Sequence, residues 1–296
     1  MDQKLGSAEK KESRVPSSIP PFTLGDLKKA IPPHCFKRHE CGHNAFSEYK
    51  WLDDIVGFTL HSFLLFPYFP FKYSHHRHHI RTGSLEQEEL SVPLLKSQVP
   101  FLYKHLTTHP APRFLVITLV SLFGVPLPMF LPNQRTQIVL YDVAFLAMVY
   151  GLNKLVLMEG FAWVAFVYGG PYLFLMGTVF IVAFLQHTHP LVPYYDFTEW
   201  DWLRGSLSTI DRNYGILDTV FYQATNTHVA HHLFATIPHY HALEATRAIK
   251  PLLGEYYRYD DTKFYKSLWN AIKECVYVEE DEGGENKGIY WYNNQL

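Results

Sequence analysis

The sequence predicts an all-α integral membrane protein whose transmembrane helices carry a cytosolic helical cap. Three observations lead to this fold class. The stretch 160–186 contains 27 residues without a charge, other apolar segments precede it, and the sequence after residue 190 is polar and helix-forming. About 20 apolar residues are enough to cross a bilayer, so the long stretch is the strongest candidate for a span.

Composition divides the 296-residue chain into a tail and one domain. Residues 1–20 are polar, are expected to be disordered and lack the apolar core of a signal peptide. Residues 21–296 form the predicted membrane domain. The net charge of −2, without a long basic run, argues against a nucleic-acid partner. The three cysteines form no CxxC motif, so reduced thiols are expected.

Four apolar segments are assigned different roles. Spans are predicted at about 114–131 and 160–186. The segment 55–71 is interrupted by prolines and 136–158 carries charges, so both are predicted to be re-entrant or interfacial helices. Two spans place the segments before and after them on one membrane face, and Lys and Arg near the N-terminus place that face in the cytosol. The cytosolic cap is predicted at 190–296.

Histidine is concentrated in three short motifs, here called the first, second and third histidine boxes. The spacings are H-x-x-x-H in the first box and H-x-x-H-H in the other two. Residues three and four apart share one face of a helix, and neutral imidazole is the commonest metal ligand. A single zinc ion takes four ligands, so eight box histidines suggest two metal ions. The candidate ligands are His39, His43, His75, His78, His79, His228, His231 and His232.

Ligand type alone does not select the metal, because imidazole binds iron, copper, zinc and nickel. A nitrogen-rich site for two metals beside a membrane span fits iron that activates oxygen against a C–H bond of a lipid tail. Taken singly, the first box could be an ordinary helix face and the second a basic patch for lipid phosphate. A zinc-dependent membrane hydrolase would need fewer histidines and a clear general base.

Three further residues are candidates for supporting roles. His187 ends the long uncharged stretch and is expected to face the site, as a ligand or as support for one. His76 does not fit the spacing and is expected to support a ligand or face solvent. Glu40 lies inside the first box and is expected to orient an imidazole or carry protons, unless it is an ordinary surface carboxylate.

The boxes and their surroundings resemble the membrane fatty acid desaturases. The similarity is greatest to the plant endoplasmic-reticulum oleate (delta-12) desaturases and their hydroxylase, epoxygenase, conjugase and acetylenase relatives. It is carried by FTLGDLKKAIPPHCFKR, HECGHNAFSEYKWLDD, YSHHRHHIRTGSLE, LQHTHP, EWDWLRG, DRNYGILD and HVAHHLFATIPHYHALEATRAIKPLLGEYY. These motifs cover nearly the whole chain beyond residue 20.

The resemblance implies a di-iron centre with the eight box histidines as ligands and no other catalytic residue. It implies oxygen, electrons from cytochrome b5 and NADH-cytochrome b5 reductase, and a phospholipid acyl substrate. The implied reaction places a cis double bond in an oleoyl chain on phosphatidylcholine. The implied location is the endoplasmic reticulum membrane, multi-pass, with both termini cytosolic. Association with a second desaturase chain, as a homo- or hetero-oligomer, is a further expectation.

Several features depart from the family pattern, and two of them adjoin or lie in the first histidine box. Arg38 directly precedes His39 where family members have a hairpin of two spans, so the chain is expected to lack the first transmembrane hairpin. Asn44 stands where the first box usually has a second histidine. Two alternatives therefore stay open: a divergent hydroxylase, epoxygenase or acetylenase, and an inactive truncated paralogue that associates with an intact desaturase.

Overall fold

A computed structural model describes five parts of the chain: residues 13–36, 47, 49–99, 134–280 and 287–294. The first histidine box (His39 and His43), Glu40 and the predicted span at 114–131 lie outside these residues.

The described part of the chain is mostly helical, as the sequence predicts. Its α-helices are α1 (Leu24–Ala30), α2 (Lys50–Phe63), α3 (Tyr68–Arg81), α4 (Arg135–Glu159), α5 (Phe161–His187), α6 (Trp202–Ser206), α7 (Ile216–Val220), α8 (His228–Leu233), α9 (His239–Leu253) and α10 (Phe264–Glu274). A π-helical stretch at Ala165–Gly169 lies within α5, and short 3-10 turns occur at Pro33–Phe36, Lys96–Gln98 and Gly254–Tyr256.

Helix α1 begins with a capping box. The Thr23 hydroxyl accepts the Asp26 N–H at 3.3 Å, and the Asp26 carboxylate accepts the Thr23 N–H at 3.0 Å. Two N–H groups at the helix start are thereby satisfied. The sequence predicts Thr23 as the N-cap and Pro32 as part of the stop, and the structure confirms both.

The main core lies directly beneath α8. The buried apolar side chains of α9 recur at three- and four-residue intervals, which gives that helix one apolar face. This face packs against α1, the following 3-10 turn and α8. The cluster contains Leu27, Ile31, Cys35, Leu207, Val229, Ala230, Leu233, Phe234, Ile237, Ala245, Ile249 and Leu253. Helix α8, which carries the third histidine box, therefore rests on a packed base.

The prediction of a purely helical cap is wrong for five short strands. Strands β1 (Tyr194–Tyr195), β5 (Ile289–Asn293) and β4 (Tyr277–Glu280) form an antiparallel sheet in that order. Strands β2 (Asp211–Arg212) and β3 (Tyr259–Asp260) form a parallel pair. Aromatic and β-branched side chains in β4 and β5 fit a half-buried pleated surface better than a helix.

Helices α4 and α5 are long and apolar enough to cross a membrane. They contain 25 and 27 residues, which correspond to roughly 37 and 40 Å. They are joined by Gly160, whose φ of 89° lies in the left-handed region that glycine tolerates best. The predicted span at 160–186 matches α5 to within one residue at each end. The segment 136–158, predicted to be re-entrant or interfacial, forms the continuous helix α4, and its relation to a membrane stays a prediction.

The apolar segment 55–71 is divided between two helices. Helix α2 ends at Phe63, and α3 begins after Pro67, which occupies its N-cap position. Leu65 in the connection has a φ of 49°. The predicted single interfacial helix is therefore a helix–turn–helix, and its second helix leads directly into the second histidine box.

Candidate metal centre

Seven histidines from three helices converge on one region of the described structure. Helix α3 supplies those of the second box and α8 those of the third, in both cases from a single helix face. The last residue of α5 supplies the seventh. The cluster consists of His75, His78, His79, His187, His228, His231 and His232.

Four Nε2 atoms approach one another closely in the first half of the cluster. The Nε2 atom of His187 lies 3.0 Å from that of His78 and 3.0 Å from that of His228. The Nε2 atom of His228 lies a further 3.1 Å from that of His232. An imidazole nitrogen has one proton or one lone pair, so it cannot form two well-aligned hydrogen bonds at once. A shared cation would pair with the lone pairs of these four nitrogen atoms better than hydrogen bonds alone.

The second half of the cluster contains His75, His79 and His231. The Nε2 atoms of His75 and His79 are 3.1 Å apart, and one ring nitrogen from each of the three histidines lies within 4.8 Å of the others. The His79 ring is 4.4 Å, centroid to centroid, from that of His232 in the first half. The two halves are therefore adjacent, and each offers at least three nitrogen donors.

Burial keeps the imidazoles of α8 in the form that binds metal. Burial, with the neighbouring His78 acting in the same direction, lowers the pKa of His228 to about 3. Burial also lowers the pKa of His232 well below its ordinary value, and the neighbouring imidazoles act in the same direction. Neutral imidazole is the ligating species, so little proton release opposes metal binding near neutral pH.

A buried carboxylate orients His78. The Oε2 atom of Glu88 lies 2.9 Å from His78 Nδ1, and its Oε1 atom accepts the N–H groups of Glu89 and Leu90, each at 2.9 Å. Burial alone would raise the pKa of Glu88, but His78 and the two N–H groups outweigh it, and the pKa lies below its ordinary value. The ionised carboxylate therefore favours a proton on Nδ1 of His78 and leaves Nε2 as a donor to metal.

The C-terminal end of α3 is held by side chains from the neighbouring loops. The hydroxyl of Thr82 lies 3.2 Å from His232 Nδ1, which links the second and third boxes. The indole N–H of Trp200 donates to the carbonyl of Thr82 at 2.9 Å, and that of Trp202 donates to the carbonyl of His79 at 3.1 Å. These bonds satisfy carbonyl groups that a helix end leaves without partners.

Gly205 permits the close approach between α6 and the C-terminal end of α3. A Cβ atom on Gly205 would lie 2.2 Å from the carbonyl oxygen of Thr82 and 2.7 Å from the indole nitrogen of Trp200. No side chain fits there without moving backbone, so a larger residue would separate α6 from the end of α3.

Helix α8 is positioned by the parallel pair of short strands. Asp211 in β2 accepts the N–H of Val229 at 2.8 Å and the hydroxyl proton of Tyr257 at 2.7 Å. Its carboxylate thus satisfies an N–H group in the first turn of α8, where negative charge is stabilised. The third box is therefore anchored at its start as well as packed on the core.

The structure brings together six of the eight predicted ligands, namely all those of the second and third boxes. His39 and His43 lie outside the described residues, as does Glu40. His187, predicted as ligand or support, lies within hydrogen-bonding distance of two box histidines. His76 is exposed on α3 and lies outside the cluster.

Glu88 and Thr82 contact the histidine cluster but were not predicted from the sequence. Glu88 is one of several acidic residues in a loop that has no periodicity, so position alone could not single it out. Thr82 directly follows α3, the helix that carries the second box. A hydroxyl just beyond that helix is the only signal that the sequence offers for it.

Comparison with known proteins finds relatives over nearly the whole chain. A family model described as fatty acid desaturase matches residues 38–264. The Delta(12)-fatty-acid desaturase FAD2 of Vernicia fordii is 44% identical over 362 aligned positions, which cover 96% of this chain and 94% of the relative. An endoplasmic-reticulum omega-6 fatty acid desaturase of Glycine max (isozyme 2) is 44% identical with the same coverage. A Delta(12) acyl-lipid conjugase (11E,13E-forming) of Impatiens balsamina is 42% identical over 99% of this chain and 97% of the relative.

The helical scaffold and the histidine cluster define a class of mostly helical proteins with long apolar helices and a histidine cluster compatible with a metal site. The comparisons identify the family: the chain belongs to the fatty acid desaturases. By enzyme class it is an oxidoreductase, an acyl-lipid desaturase. The alignment with the Vernicia relative has 362 positions and the chain has 296 residues, so at least 66 positions of the relative have no counterpart here.

Proposed function

We propose that this chain is a membrane acyl-lipid desaturase of delta-12 type, which uses O2 and a di-iron centre to place a cis double bond in an oleoyl chain on phosphatidylcholine. The observation that carries the proposal is the convergence of seven histidines on two adjacent groups of nitrogen donors. When bound, iron would supply the activation of oxygen needed to attack an unreactive C–H bond.

The chain's own residues would hold the two ions in an oriented cage. His78, His187 and His232, with His228 beside them, would hold one ion, and His75, His79 and His231 would hold the other. Glu88 would keep the His78 ring in the ligating tautomer through its contact with Nδ1. The first group is almost completely buried, which would keep bulk water away from the reacting carbon.

The first box is proposed to complete the cage. The ring of Phe36 packs 5.9 Å from that of Phe234, the residue that follows α8. His39 comes three residues after Phe36, so chain connectivity limits the distance between their Cα atoms to about 11 Å. His39 and His43 are therefore proposed as further ligands of the same centre.

A membrane location is supported by the exposure of α4 and α5. Within the described residues, only 11% of the most apolar window of α4 and 6% of that of α5 is buried. A core helix of a water-soluble domain would instead be mostly covered. The first turn of α4 contacts α3 through the Tyr73–Gln137 hydrogen bond, and the last residue of α5 contacts His78. Both helix ends thus adjoin the metal site, as expected if α4 and α5 cross the bilayer and return.

The remaining parts of the proposal come from the family. Cytochrome b5 and its NADH-dependent reductase are proposed as electron donors. The endoplasmic reticulum membrane, with both termini cytosolic, is proposed as the location. The Glycine max relative is itself named as an endoplasmic-reticulum enzyme. Association with another desaturase chain is proposed as well.

A second candidate reaction is supported by the conjugase relative. At 42% identity, the Impatiens conjugase is almost as similar to this chain as the 44% identical desaturases. Similarity of this size does not separate ordinary desaturation from a modified outcome such as conjugation, hydroxylation, epoxidation or acetylenic bond formation. Product analysis separates them directly.

The test is expression of the full chain in yeast that makes oleoyl lipids, followed by fatty-acid analysis of microsomal phosphatidylcholine. A new C18 acyl chain with two cis double bonds is expected, and the His232→Ala variant, which lacks one proposed ligand, should not produce it. A conjugated, hydroxylated, epoxidised or acetylenic product instead would support the second candidate. No new acyl product, with the protein present in microsomes, would contradict the proposal and favour an inactive paralogue.

A further inference from the structure

A second group of metal-ligating side chains lies apart from the histidine cluster. The group, here called the surface tetrad, consists of His34, Cys35, His241 and Glu244. His34 and Cys35 are consecutive residues of the 3-10 turn that follows α1. His241 and Glu244 are three residues apart on α9 and therefore lie on one face of that helix. Neither the histidine boxes nor the proposed reaction uses any of them.

The donor atoms of the surface tetrad converge on one oxygen. The Oε2 atom of Glu244 lies 3.0 Å from His34 Nε2, 3.5 Å from Cys35 Sγ and 3.6 Å from His241 Nδ1. All four ligand atoms lie within 4.8 Å of one another. In a tetrahedral zinc site with bonds of 2.0–2.3 Å, neighbouring ligand atoms are separated by about 3.3–3.8 Å. The tetrad therefore needs adjustments of only about 1 Å to close around an ion.

The charges and the exposure of the tetrad also fit a divalent metal. A thiolate and a carboxylate together neutralise a dication, and two neutral imidazoles complete a four-coordinate shell. Cys35 is fully buried on the inner side, whereas the side chains of His34 and Glu244 are 49% and 46% exposed. An ion can thus enter from solvent and meet a sulfur atom held in the core. Among common metals, this mixture of sulfur, nitrogen and oxygen donors suits zinc.

We propose that the surface tetrad is a zinc site that fastens the N-terminal segment to α9. The 3-10 turn and α9 belong to the same apolar core, so the ion would add a cross-link to an existing contact. Cys35 precedes His39 by four residues, and α9 packs next to α8. The cross-link would therefore fix where the chain enters the first histidine box relative to the third.

The test uses the purified full-length chain in detergent, stripped of metal and titrated with Co²⁺. Cobalt bound to a thiolate gives a sulfur-to-metal charge-transfer absorption that a site made only of histidine cannot produce. The wild-type chain should show this band with an amplitude that corresponds to about one thiolate-bound cobalt per chain, whatever additional cobalt the histidine cluster takes up, and Zn²⁺ should displace it. Cys35→Ser should abolish the band, whereas Cys275→Ser, which removes the other buried cysteine of the described residues, should leave it intact. Cys41→Ser should also leave it intact.

A second variant keeps the test valid if Cys35→Ser fails to fold. Glu244→Gln changes a half-exposed residue and keeps the thiol, and it should weaken cobalt binding at least tenfold. Zn²⁺ at 100 times its dissociation constant should raise the melting temperature of the wild-type chain by about 5 °C, with a much smaller rise in Glu244→Gln. Absence of the band from the wild-type chain, or its survival in Cys35→Ser, would overturn the proposal in favour of a plain hydrogen-bond network. Neither result depends on whether the histidine cluster holds iron.

Discussion

Replacement of Glu88 by glutamine is expected to weaken iron binding without unfolding the protein. The carboxylate contacts His78 Nδ1 at 2.9 Å, and its side chain is 0% exposed. Loss of such a partner lowers metal affinity by about 10–100-fold, which corresponds to roughly 1.4–2.7 kcal/mol. Glutamine has one acceptor oxygen where the carboxylate uses two, so it can keep the bonds to the two N–H groups only by turning its NH2 group toward His78 Nδ1. Alanine also removes the acceptor of two N–H groups. Each N–H group that stays buried and unpaired lowers the free energy of unfolding by about 1–3 kcal/mol.

The assay is iron retained by the purified chain against increasing concentrations of a chelator, with the melting temperature recorded in parallel. Glu89→Gln is the matched control, because Glu89 pairs with Arg77 and Arg81 and has no contact with the cluster. The expected order of iron affinity is wild type and Glu89→Gln, then Glu88→Gln, then Glu88→Ala. Retention by Glu88→Gln within twofold of wild type would refute the role assigned to this carboxylate.

Two further substitutions test the cluster and its scaffold. His187→Ala should lose about one of two bound irons, whereas His189→Ala, two residues outside the cluster, should keep both; equal iron content in the two variants would contradict a ligand role for His187. Gly57→Ala would place a Cβ atom 2.2 Å from the ring of Tyr68 and should destabilise the packing of α2 on α3 by about 1–3 kcal/mol. Gly151→Ala, where no atom lies within 4 Å, should be neutral or slightly stabilising in the same thermal unfolding assay, and equal effects would contradict the packing assigned to α2.

The parts of the site that follow helical periodicity could be predicted from the sequence. The spacing within the second and third boxes places each set of imidazoles on one helix face, and the structure confirms that arrangement. The position of His187 at the end of a long uncharged stretch was also a usable signal. The cap of α1 was predictable because Thr23 and Asp26 are local in sequence and act through the neighbouring backbone.

The parts that depend on long-range contacts could not be predicted. Glu88 reaches His78 because an irregular loop turns back on α3, and no local pattern specifies such a path. Asp211 pairs with Tyr259 across 48 residues in two-residue strands, which are too short to show an alternation. The tryptophans of EWDW belong to a motif that carries the family resemblance, but their hydrogen bonds to the end of α3 depend on the folded chain.

The central claim is that the histidine cluster holds two iron ions, and metal analysis of the purified full-length chain after anaerobic loading with Fe²⁺ tests it most directly. The expected result is about two irons per chain, in keeping with the two donor groups, and a marked loss in His232→Ala with no loss in His76→Ala. A folded wild-type chain that retains well under one iron, or a His76→Ala variant that loses as much iron as His232→Ala, would contradict the claim.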